Sequence, residues 1–167
     1  MVFSGIRYAY EPGQLVMGGA EDGARTAVQA EATALILPGV FVAAQPNQTP
    51  PENLERRGVI LPAAADSIIL GVSLAFFGIR AIEDGYPPKS QISYYWKGQV
   101  GVWVFTDVKA QDPVFAAFNP ANPLQKGYGT NVAGATVVAV PNCRWLSSTN
   151  GATAATPQVA NVSLNLP

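Results

Sequence analysis

The chain has 167 residues, 49 % of them hydrophobic, with no histidine, one cysteine and a formal net charge of −1 from 10 Lys+Arg against 11 Asp+Glu. That length reads as one domain with room for a real core, and the apolar share excludes a disordered chain. Without an imidazole no Ser-His-Asp or Cys-His site can be assembled. One cysteine and no histidine cannot supply the usual zinc or transition-metal ligands, so no metal, no cofactor and no enzymatic activity are expected. Arg56-Arg57 is the single adjacent basic pair, which argues against a nucleic-acid partner.

In chain order, the first segment is Met1 to Met17. It is apolar and aromatic, with Phe3, Ile6, Tyr8, Tyr10, Leu15 and Val16 and little charge. It has no basic stretch leading into an apolar run, so it does not read as a signal peptide. It is expected to be either an extended N-terminal arm that packs on a neighbouring subunit or the first strand of residues 18–167.

Residues 24–34 carry no convincing helical spacing and read as strand or irregular chain. Strands are predicted at 34–37, 40–44, 59–61, 67–74 and 92–96. Between them, Gln45 to Arg57 (QPNQTPPENLERR) reads as an exposed, extended loop and Gly85 to Lys89 as a proline-rich turn. Ile68 to Ile79 is the most apolar run, but its 12 residues fall short of a helical membrane span and glycines interrupt it. No membrane partner is expected.

Gln99 to Lys109 (QVGVWVFTDVK) alternates strictly, with apolar residues at the centre of both faces. It reads as a central strand covered on two sides. Shorter strands are predicted at 114–118, 135–140 and 144–146, with a loop over Asn119 to Gly129 and an Asn150-Gly151 turn. The last residues, NVSLNLP, place Val162, Leu164 and Leu166 on one face of a half-buried strand. Short strands at this spacing predict an all-β, antiparallel sandwich or barrel of jelly-roll type.

The remaining chemistry is thin. The acidic pairs Glu21/Asp22, Glu52/Glu55, Glu83/Asp84 and Asp107/Asp112 lie in turn or solvated-loop contexts, and turn chemistry explains them better than glycoside hydrolysis does. Tyr94, Tyr95, Trp96 and Tyr128 could form a stacking platform for sugars, so a carbohydrate-binding β-sandwich is the alternative reading. Trp103 and Trp145 read as core.

Four stretches carry a family resemblance: DSIILGVSL (66–74), GQVGVWVFTDVKAQDPVF (98–115), CRWLSS (143–148) and the terminal NVSLNLP. In this order they resemble the structural cement, or head decoration, proteins of tailed bacteriophages. The resemblance implies a protein made in the host cytoplasm and carried on the outer surface of the virion. There it would assemble as a homodimer or homotrimer and clamp neighbouring major capsid subunits against internal DNA pressure. Such a clamp works through edges, loops and arms. The candidate interface residues are Phe3, Ile6, Tyr8, Tyr10 and Leu15 of the arm, Arg56 and Arg57 of the proline-rich loop, and Val162, Leu164 and Leu166 of the terminal strand.

Overall fold

A computed structural model of the protein describes residues 12–13, 23–29, 34–46, 58–75 and 85–166. Eleven strands follow in chain order: β1 (Ala24–Gln29), β2 (Phe41–Ala44), β3 (Gly58–Ile60), β4 (Ile69–Ser73), β5 (Gln91–Tyr95), β6 (Lys97–Val104), β7 (Phe115–Ala117), β8 (Gly129–Thr130), β9 (Val137–Ala139), β10 (Arg144–Trp145) and β11 (Gln158–Asn165). The helical element among the described residues is one 3₁₀ turn, Pro123–Gln125, which the Asn122 side chain caps through the Leu124 N–H. The all-β expectation holds, because β-branched and aromatic residues dominate every long apolar stretch.

The strands divide into two groups. β1, β3, β2, β4 and β5 pair in that order, and β5 returns to β1, so the pairing closes into a five-stranded ring. The other six form one sheet in the order β10-β11-β6-β8-β7-β9. Two pairings are parallel, β1 with β3 and β6 with β8. The expected antiparallel architecture is therefore corrected to a mixed one. Among the described residues the strand order is also not that of a jelly roll, which stacks two antiparallel sheets.

β6 organises the whole. It pairs with β11 over eight consecutive residues, from Lys97↔Asn165 to Val104↔Gln158. On its other edge, Gly13 N–H donates to the Gly101 carbonyl at 2.8 Å, Trp103 N–H donates to Gly39 O at 3.0 Å, and Gly129 of β8 pairs with Val104. Chain from the ring thus completes the sheet's ladder, which ties the two units through backbone. The sequence pattern of a doubly covered central strand is met. Val100, Val102 and Val104 are fully buried on one face, while Trp103 and Phe105 pack on the other.

Two hydrophobic clusters result. The first lies between ring and sheet: Phe41, Ala43, Ile69, Val72 and Tyr95 meet Val100, Val102, Val104, Trp145, Val162 and Leu164. The second gathers Ala27, Val42, Val59, Ile92 and Tyr94 of the ring strands, with Trp103 and Phe105 packed against them. Alternation along β2 and β5 deals residues to the two clusters, as a period of two requires. Ser73 is fully buried and donates to Leu37 O at 2.6 Å while accepting from Val40 N–H at 3.1 Å, which pins the turn before β2 to β4.

Tyr95, the last residue of the ring, packs under glycines where the chain crosses into β6. A Cβ on Gly71 would collide with the Tyr95 carbonyl, and one on Gly98 (φ +116°) would come within 2.6 Å of the Tyr95 ring. Gly71→Ala, with backbone as the obstacle, should lower stability by about 1–3 kcal/mol. Gly134→Ala, which meets nothing within 4 Å, should leave it nearly unchanged. Urea midpoints for the two variants check this, and equal midpoints would contradict the packing.

Candidate interaction surface

A protein that works by contact needs backbone or side chains left over after folding. Among the described residues the ring's pairing closes on itself, which leaves the two edges of the six-stranded sheet. At one edge, β10 is covered: Gln111 N–H donates to Trp145 O at 2.8 Å and Trp145 N–H reaches Asp112 O at 3.4 Å. At the other edge, β9 pairs with β7 alone among the described residues. The flanking bonds Phe118 N–H to Thr136 O (3.0 Å) and Val140 N–H to Val114 O (2.9 Å) set the phase. Residues 136, 138 and 140 therefore turn their backbone groups to β7, and Val137 and Ala139 turn theirs outward. Val137 N–H finds Gly134 O of its own turn at 3.5 Å. Ala139 is exposed, and its N–H has no partner among the described residues. β9 is the open edge of the described sheet, and it is three residues long, a length that limits unwanted pairing.

The residues predicted as interface fall into two sets. Phe3, Ile6, Tyr8, Tyr10, Leu15, Arg56 and Arg57 lie outside the described residues. Val162, Leu164 and Leu166 are described and lie in the chain's own core at 0–2 % exposure. Val162 and Leu164 lie in β11, which β10 and β6 pair on its two sides, and Leu166, just past its end, donates its N–H to Trp96 O at 3.1 Å. As a terminal stretch of alternating residues β11 resembled a free edge, but β6 had already claimed it.

Within the expected arm, Pro12 and Gly13 are described and buried. Gly13 donates to Gly101 O and accepts from Ala75 N–H at 3.2 Å. The chain is therefore tied into the body at residues 12–13, beside β6.

The aromatic platform is spent on packing. Tyr94, Tyr95 and Tyr128 are buried, the Tyr128 ring stacks on Trp103 with centroids 6.0 Å apart, and the Arg25 guanidinium sits 4.6 Å over the Trp96 ring. Burial raises the Tyr128 phenol above its usual pKa, so it stays neutral. Trp145 is fully buried as expected, while Trp103 is half-buried.

The carboxylates have structural work. Asp107 accepts from Ala152 N–H at 2.8 Å, and Asp112 accepts from the Asn131 side chain and from Lys109 N–H at 3.3 Å. Each fixes a loop, in keeping with the turn reading of Asp112.

The exposed large hydrophobic side chains Leu35, Ile68, Leu124 and Val132 come from four separate turns and loops. The described residues form an all-β body with two buried cores and one open backbone edge, at β9.

The comparisons agree. Residues 5–165 match the family described as "Structural cement protein (E217 gp24/Pam3 gp6)". The chain belongs to this phage structural cement family, as the four sequence stretches implied, and is a virion structural protein. A chain from "The capsid of Myoviridae Phage XM1" shares the fold, with a TM-score of 0.63 and 19 % identity, over 99 % of this chain and 97 % of that one. No curated protein matches the chain.

Cys143 is fully buried, and desolvation raises its thiol pKa. Thiolate is the reactive form. A chromogenic disulfide reagent at mildly alkaline pH should therefore label native protein slowly and denatured protein fully. Fast native labelling would contradict the burial.

Proposed function

We propose that this chain is a capsid cement protein on the outer surface of a phage head. It assembles there as a homo-oligomer and clamps neighbouring major capsid subunits against internal DNA pressure. The observation that carries the reading is the family match across residues 5–165. The open β9 edge supplies the physical means. An extended segment of a neighbouring subunit can add a strand there through main-chain hydrogen bonds. The arm is the second means. Residues 12–13 are fixed beside β6, and the apolar residues Phe3, Ile6, Tyr8 and Tyr10 before them pack on a neighbour in this reading. Arg56 and Arg57 serve the same interface as rim charges. Many copies on one symmetric shell convert modest contacts into firm retention. With a formal net charge of −1, the chain holds on to protein and leaves the packaged DNA alone.

Stripped heads re-decorated with wild-type protein should break at a higher temperature than bare heads. Ala139→Pro removes an outward N–H at no cost to the β7–β9 ladder. It should keep the wild-type unfolding midpoint yet return much less of the gain. Deletion of residues 1–11 should also weaken retention. Heads whose disruption temperature ignores the wild-type protein would sink the reading. An Ala139→Pro variant as effective as wild type would remove β9 from it.

A further inference from the structure

Asn150-Gly151 is the single Asn-Gly step in the chain. Both residues are exposed. The Asn150 carboxamide makes no hydrogen bond among the described residues, and neither does the Gly151 N–H. What is held is the surrounding backbone. Asn150 O accepts from the Gln158 side chain at 2.8 Å, Thr149 N–H donates to Val108 O at 3.0 Å, and Ala152 N–H is bound by Asp107. Gly151 sits at φ +83°, and a Cβ there would find no atom closer than 3.9 Å, so no packing crowds the turn at this residue.

We propose that Asn150 is a self-modification site, at which the side chain deamidates through the Gly151 nitrogen. The Gly151 N–H loses its proton as its nitrogen attacks Asn150 Cγ. The N–Cγ bond forms, the Cγ–Nδ2 bond breaks, and ammonia leaves with the proton, giving a five-membered succinimide. Water then opens the ring at either carbonyl and leaves aspartate or isoaspartate at position 150. The net change is one water consumed and one ammonia released, with no oxidant or catalyst.

The other described asparagines are closed to this route. Asn119 and Asn122 precede prolines, whose nitrogen has no proton to lose. Asn131 donates its amide to Asp112. Asn161 is buried within the β6–β11 ladder. Asn142 is followed by buried Cys143, and Asn165 by buried Leu166, each with a side chain that crowds the attacking nitrogen.

Conversion adds one negative charge to a chain whose formal net charge is −1. It does so two residues from Ala152, the residue that Asp107 holds, so a second carboxylate enters the surroundings of the first. The isoaspartate product also reroutes the backbone through the side chain and lengthens the turn that Gln158 clasps.

The test is to age the folded full-length protein in mildly alkaline buffer at body temperature. Intact mass, isoelectric focusing and peptide mapping are followed, with isoaspartyl methyltransferase labelling. The expected result is a gain of one mass unit and one acidic charge step, mapped to position 150, with isoaspartate labelling. Asn150→Gln, whose longer side chain closes the ring far more slowly, should lose the charge step while keeping the wild-type unfolding midpoint. Conversion at another asparagine first, or an unchanged residue 150 while a peptide spanning residues 147–157 converts, would overturn the proposal.

Discussion

The structure depends on the eight-residue antiparallel ladder between β6 and β11. It joins the strand that follows the ring to the last described strand, and its buried face (Val100, Val102, Val104 with Ala160, Val162, Leu164) belongs to the larger core. The other edge of β6 receives Gly13, the Gly39 turn and β8. A strand occupied on both edges and both faces cannot slip by one residue without turning valines outward, so the register is fixed by burial. The ring is then held by backbone as well as by packing. The crossing from Tyr95 to Lys97 leaves no room for side chains on the glycines around the Tyr95 ring.

Much of this was legible in the chain. The strict alternation of residues 99–109 announced β6, and the apolar centres of both faces announced its central place. The C-terminal alternation announced β11, although not where it would pair. Sequence alternation reports that one face is buried; it carries no information on which edge is taken. That is why Val162, Leu164 and Leu166 read as an offered strand and proved to be core. β8 was missed because two residues, Gly129–Thr130, give no period, and their pairing with β6 is a long-range parallel contact. Residues 34–37 read as a strand and yield a single bridge, Ile36 to Tyr86. Asp112, before Pro113, was legible as a turn residue, whereas Asp107 fell within the stretch read as strand to Lys109, and β6 ends at Val104.

The candidate surface is a matter of what folding leaves over. Aromatic side chains that suggested a sugar platform are absorbed by the two cores or covered, as Trp96 is by Arg25. Side-chain chemistry is scarce by composition, and the backbone at the β9 edge is what folding leaves over among the described residues. Membership of the phage structural cement family gives this economy a purpose. Buried cores, paired strands and one short open edge suit the capsid role proposed for the chain.

The central claim is attachment to a capsid. The most direct measurement is cosedimentation of the purified protein with mature, cement-stripped heads of its phage, with stoichiometry read from the pellet. The account predicts saturable binding at a fixed ratio to the major capsid protein. A pellet free of the protein at every concentration would contradict it.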